Sequence, residues 1–196
     1  MWLWRKLYSL SSNLSSNLAL SLGSNHFELF GLSPKFNIEL ATLESNFRKI
    51  QSESHPDRFV SASSAEKLQS MQLATLANEA YQILKNPAKR AKYLLELQGI
   101  VAISETNTAM PLDFLMQQLE RRESLEDAKA AKDINALENL LREMQQEAKL
   151  LQSEIAVLID QKQDYINATD ATRKLIFIDK VVADINKAIE QLEANL

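Results

Sequence analysis

The chain has no cysteine and only two histidines, three glycines and four prolines among its 196 residues. Without cysteine it forms no disulfide and ligates no zinc or iron–sulfur cluster through thiolates; the redox compartment is left open. His26 and His55 alone are too few for a histidine-rich metal site, so no cofactor is expected. There is no glycine loop to cradle phosphate, no nucleotide motif and no nucleophile with a second histidine to activate it, which argues against an enzyme. No apolar run is long enough to span a membrane or to form the core of a secretory signal. Nor is there an alternating strand pattern or an internal repeat. The net charge of −4 lacks the basic surface that nucleic-acid binding needs.

What is present is helical periodicity and a charge imbalance. Residues 1–99 carry 11 Lys and Arg against 8 Asp and Glu, a net of +3; residues 100–196 carry 11 against 18, a net of −7. Such asymmetry suits two surfaces facing partners of opposite sign, although solvated helix faces alone produce the same numbers.

One stretch stands out. Leu40, Leu43, Phe47 and Ile50 recur at helical spacing and predict a buried stripe on a helix over 38–54, with Arg48 and Lys49 off that stripe in solvent. Pro56 lacks an N–H and disfavours helical geometry at the residue before it, so the helix must stop near Ser54. His55 and Asp57 then project on a stiff loop, with Arg58 following. Ser63-Ser-Ala-Glu66 has the spacing of a capping box and opens a helix reaching about Lys85, with Leu73, Leu76, Ala80 and Ile83 inward. The two helices are expected to pack antiparallel with His55-Pro56-Asp57 at their shared tip. A proline stop followed by a loop aspartate is also an ordinary structural device, so the tripeptide alone leaves both readings open.

A short helix is expected over 25–32, and another from Asn86-Pro87 to about Gln98, stopping at Gly99. Residues 99–111 break the periodicity and read as a linker. Beyond it come helices over about 112–129, 134–166 and 171–194, with Asp133 and Asp170 as caps. Leu137, Leu140, Met144, Ala148, Leu151, Ile155, Leu158 and Lys162 form one near-heptad series. Leu175, Ile178, Val182, Ile185, Ile189 and Leu192 form another, and together they favour a three-helix bundle or helical hairpin. On the first of the three helices, Leu112, Leu115, Met116 and Leu119 share a face while Phe114 points away from it. A short helix in a small bundle rarely buries both directions fully, which makes one apolar set a candidate for exposure, although periodicity alone reads these residues as core.

Asn25-His-Phe-Glu-Leu-Phe-Gly-Leu32, the helix ending in His55-Pro56-Asp57, Asn78-Glu-Ala-Tyr-Gln-Ile-Leu84 and Asn86-Pro-Ala-Lys-Arg-Ala-Lys-Tyr93 together resemble a complete J domain. More narrowly, Arg90-Ala-Lys-Tyr-Leu-Leu-Glu-Leu, Phe114-Leu-Met-Gln-Gln-Leu-Glu-Arg-Arg-Glu123 and Arg173-Lys-Leu-Ile-Phe-Ile-Asp-Lys180 make residues 25–196 similar to the HscB family of iron–sulfur co-chaperones. The resemblance implies an all-α protein: a J domain over 25–98, a linker over 99–111 and a scaffold-binding bundle over 112–196. It implies that His55, Pro56, Asp57, Arg58, Arg48 and Lys49 engage a DnaK-type chaperone ATPase of the HscA class. It further implies that Leu115, Met116, Leu119 and Phe177 form an apolar patch for the scaffold protein IscU, rimmed by Glu120, Arg122 and Glu123. Ser54 departs from the bulkier residue that many J domains place before the loop.

Residues 1–24 hold only Arg5 and Lys6 as charges, with Leu3, Leu7, Leu10, Leu14, Leu18 and Leu22 at helical spacing. Bacterial members of the family begin near the equivalent of His26, so an upstream start or an extension without function is expected in a cytoplasmic protein. The alternative is a mitochondrial transit peptide and a matrix protein. Two other readings of the whole remain: a J-domain adaptor for a different client, and a helical interaction protein whose His-Pro-Asp is only a turn.

Overall fold

A computed structural model describes residues 25–102 and 110–194. These form helices without a strand, and the chain divides into two compact units between Asn86 and Pro87. The expectations for residues 1–24 and for most of the linker lie outside the described residues.

In the first unit α1 is His26–Leu29, α2 is Leu40–Glu53 and α3 is Ser64–Lys85. The Asn25 side chain caps α1 by accepting from the N–H groups of Phe27 and Glu28, both at 3.0 Å. Gly31 leaves the helix at φ +62°, a conformation glycine adopts without penalty. The core of the unit is Phe27, Phe30, Phe36, Leu43, Ala77, Ala80, Tyr81 and Leu84. Phe47 of α2 stacks on Tyr81 of α3 with ring centroids 4.1 Å apart, a contact worth about 1 kcal/mol beyond area burial. Leu40, expected on the buried stripe, is exposed instead, because it opens α2 ahead of the turn that reaches the core. On α3 the packed face runs through Ala77, Ala80, Tyr81 and Leu84, so Leu73, Leu76 and Ile83 are flanks and only half-buried. The small alanines let the two helices approach, which a search for large apolar residues does not register.

The capping box at the start of α3 is complete. Ser63 Oγ accepts from the Glu66 N–H at 3.3 Å, and the Ser63 N–H donates to Glu66 Oε2 at 2.9 Å. Hydrogen bonds from the Ser63 hydroxyl first, and from its backbone N–H second, hold the Glu66 carboxyl below its usual range.

The second unit comprises α4 (Pro87–Leu97), α5 (Leu112–Ala131), α6 (Ile134–Ala156) and α7 (Tyr165–Glu193). The helix after Asn86, read from the sequence as the end of the J domain, packs here against α7. Arg90 of α4 is buried; burial pushes its guanidinium down to about 10, opposed by the Asp160 carboxylate. Asp133 caps α6 as expected, accepting from the Ala136 N–H at 3.0 Å. Two features differ from the periodic reading. α6 ends at Ala156 and runs into a π-helical segment, Val157–Lys162, whose wider turn leaves Lys162 in solvent, off the apolar series. α7 then begins at Tyr165, six residues earlier than expected, with Asp164 and not Asp170 as its cap. Asp164 accepts from the Asn167 N–H at 3.2 Å, and Thr169 returns its hydroxyl to the Tyr165 carbonyl at 2.7 Å. The polar Asn167-Ala-Thr-Asp170 run is thus satisfied within the helix, and Asp170 pairs with Arg173 at 3.1 Å.

Candidate functional site

Pro56 both ends α2 and starts a single 3-10 turn, Pro56–Phe59, joined to α3 by four residues. His55 is extended at φ −65°, ψ 131°, the geometry demanded of a residue before proline. Its side chain is 60% exposed and that of Asp57 is 87% exposed. The Asp57 N–H donates to His55 Nδ1 at 3.3 Å, and an Asp57 carboxylate oxygen lies 3.6 Å from the same nitrogen. With Nδ1 accepting, the neutral ring carries its proton on Nε2. The turn therefore presents a ring N–H donor and a carboxylate side by side in solvent.

Rigidity comes from beneath. Ser54 is buried, and its hydroxyl donates to the Ile50 carbonyl at 2.8 Å. Its own carbonyl accepts from the buried Ser70 hydroxyl of α3 at 2.7 Å. This bond ties the residue before His55 to the partner helix. The Arg58 guanidinium reaches back to the Ser52 carbonyl at 3.4 Å. His55, Pro56 and Arg48 line one open depression together with Gln51, Ser52, Ser54, Ala74 and Asn78. Arg48 is exposed and ion-paired with Glu44 one helical turn earlier. Lys49 is exposed and lies outside the lining of that depression.

The second candidate surface is on α5. Leu115, Met116 and Leu119 are 45%, 56% and 60% exposed, and Leu112 stands with them. Phe114 is the set that turns inward, meeting the half-buried Phe177 of α7 edge to face at 5.9 Å. Lys174 Nζ sits 5.9 Å from the Phe114 ring centre. Glu120, Arg122 and Glu123 are all exposed. The inward face of α5 continues through Gln118, Leu125 and Ala128, and Arg121 pairs with Glu147 of α6. Arg173 Nε donates to the Ala102 carbonyl at 2.6 Å, fastening the chain after α4 onto α7.

Sequence reasoning missed Ser70, Gln51 and Asn78 around the first site. Ser70 is a lone serine in a helix, and nothing in its local spacing shows that its acceptor lies 16 residues away. Among the described residues no group of His, Asp and Glu is arranged to hold a metal ion, and no helix is long and apolar enough to cross a membrane.

Comparison with known proteins agrees with this architecture. Residues 110–195 match the family described as the HSCB C-terminal oligomerisation domain. A co-chaperone protein HscB homologue from Paraburkholderia phymatum is 46% identical over 173 residues, which is 88% of this chain and 98% of that protein. Chaperone HscB from Vibrio cholerae has the same fold at a TM-score of 0.75 and 37% identity, over 86% of this chain and 99% of the other. Human co-chaperone protein HscB matches at a TM-score of 0.76 and 26% identity, over 84% of this chain and 81% of the other. These relatives are named as chaperones and co-chaperones, not as enzymes. At 46% identity over nearly the whole length of such a relative, and with a His-Pro-Asp turn at the tip of a helical hairpin, the chain belongs to the HscB family of co-chaperones.

Proposed function

We propose that this co-chaperone stimulates ATP hydrolysis by a DnaK-type chaperone of the HscA class through the His55-Pro56-Asp57 turn, and delivers the iron–sulfur scaffold protein IscU to it. The observation that carries the reading is the exposed His55–Asp57 pair, held over the buried Ser54–Ser70 hydrogen bond. A turn braced in this way meets two conformations of a partner with different affinity, and the difference shifts that partner's equilibrium. Arg48, Lys49 and Arg58 add complementary charge that speeds encounter at low salt. Leu115, Met116 and Leu119 form an apolar surface of the kind found at interface cores, to which the half-buried Phe177, packed on Phe114, is proposed to contribute; Glu120, Arg122 and Glu123 provide the charged rim. Carrying both surfaces on one chain raises the effective concentration of scaffold at the chaperone. The proposed setting is the bacterial cytoplasm, with 25–98 as the J domain and 112–196 as the scaffold-binding part.

The test is steady-state ATPase of the chaperone with wild type and with His55→Gln, each with and without the scaffold. His55→Gln should lose stimulation while its circular dichroism stays that of the wild type. Equal stimulation by both proteins would sink the proposal. A scaffold that fails to bind the wild-type chain, with stimulation intact, would point to an adaptor for another client.

A further inference from the structure

Two large apolar side chains stand in solvent on α3 close to the turn: Leu68 is 57% exposed and Met71 is 63% exposed. Neither belongs to the packed face of the helix, which runs through Ser70, Ala77, Ala80, Tyr81 and Leu84. Scattered exposed apolar residues are ordinary on a protein surface. These two differ in their placement. At about 100° per residue, Leu68, Met71, Thr75 and Asn78 follow one another along a single ridge of the helix. Asn78 accepts from Gln51 of α2 at 3.4 Å and, with Ala74, forms the α3 side of the depression that Arg48, His55 and Pro56 also line. Met71 adjoins Ser70, whose hydroxyl holds Ser54 in place. The ridge therefore leads from the depression to the helix end where the turn is anchored.

Size supplies the occupant. A specific protein interface covers on the order of 800 Å² per partner, far more than a three-residue turn presents. A protein seated on His55 and Arg48 must extend over neighbouring surface, and on the α3 flank the large apolar groups available are Met71 and Leu68. Methionine is also the side chain that conforms most readily to an irregular partner. Resting on the function proposed above, we infer that Leu68 and Met71 form an apolar anchor on α3 for the same DnaK-type chaperone. The anchor supplies affinity, and the His-Pro-Asp turn supplies the stimulation.

The division of labour is testable by titrating the full-length chain against an HscA-class chaperone and reading half-saturation separately from maximal stimulation. Leu68→Gln with Met71→Gln keeps helix propensity and should raise the half-saturating concentration on the order of tenfold, at unchanged maximal stimulation. That shift should persist in high salt, whereas the contribution of Arg48 should fade. His55→Gln should do the reverse and abolish maximal stimulation. Wild-type half-saturation in a double variant of native circular dichroism overturns the anchor and leaves the role of the turn intact. If sedimentation shows that the double variant loses self-association while half-saturation is unchanged, the ridge faces a second copy and the inference is equally overturned. Stimulation surviving in His55→Gln removes the function itself, and the anchor with it. Should the double variant lose helicity, Met71→Gln alone is titrated: roughly a threefold shift is expected, and none overturns the inference.

Discussion

Ser70→Ala is the sharpest probe of how the turn is held. The Ser70 hydroxyl is buried and donates at 2.7 Å to the Ser54 carbonyl, itself shielded from water. Removing the donor forfeits a hydrogen bond worth about 1 kcal/mol net, and it leaves a buried carbonyl unpaired, which brings the cost to about 1–3 kcal/mol. Alanine returns roughly 0.5 kcal/mol through its better helix propensity. The balance is a loss of about 0.5–2.5 kcal/mol, seen as a lower urea midpoint at unchanged slope. Maximal chaperone stimulation should fall as well, because the residue before His55 is no longer fastened to α3. Ser54→Ala is the control. The acceptor is a main-chain carbonyl that this substitution leaves in place, and the lost Ser54 hydroxyl only back-bonds to Ile50 within its own helix. It should cost about 0.5 kcal/mol or less. A Ser70→Ala protein as stable as wild type, or a Ser54→Ala protein that suffers equally, would refute the bracing argument.

Other outcomes follow from the same geometry. Leu115→Ala with Phe177→Ala should weaken IscU binding by on the order of 2 kcal/mol in calorimetry, with Leu115→Ala alone leaving the melt unchanged; normal binding with early melting assigns both residues to packing. Gln118 is buried with neither amide atom hydrogen-bonded among the described residues, so Gln118→Met should raise stability by about 1 kcal/mol, and a lower urea midpoint would contradict this. Ser63→Ala should cost about 1 kcal/mol at neutral pH through the lost cap. Because Ser63 lowers the Glu66 pKa, the part of that difference carried by the Glu66 carboxylate is present above the ordinary carboxylate range and lost as pH falls through the lowered value. A gap between wild type and Ser63→Ala that widens on acidification would be the wrong sign.

The parts of the fold legible in the sequence are those decided within a few residues. Pro56 stops the helix that precedes it, because it lacks an N–H and disfavours helical geometry at His55, and Ser63 with Glu66 closes a capping box without help from the rest of the chain. The long stripes of α6 and α7 are legible because many residues repeat one period. Leu137, Met144 and Ile155 on one helix, and Leu175, Ile178 and Ile185 on the other, are all buried. Illegibility sets in where a local signal competes with a distant one. The run from Asn167 to Asp170 reads as a break, yet side-chain bonds inside α7 satisfy it. Leu40 reads as core, yet it is half exposed while Leu43, three residues on, takes the buried position.

The same logic separates the two candidate surfaces. The His-Pro-Asp turn is exposed for a reason visible in its own three residues, since a proline-stopped helix must release its chain into solvent. The apolar face of α5 is exposed for a reason that lies elsewhere. Phe114 and Leu115 are equally apolar and adjacent, and the helix by itself has no preference between them. Phe177 of α7 receives Phe114, and Glu147 of α6 pairs with Arg121 on the same side. Those two contacts fix the rotation of α5 about its axis, and Leu115, Met116 and Leu119 are left in solvent as the consequence. A substitution at Phe114 that weakens its contact with Phe177 therefore acts on Leu115, Met116 and Leu119 without touching them, by releasing the rotation that holds them outward.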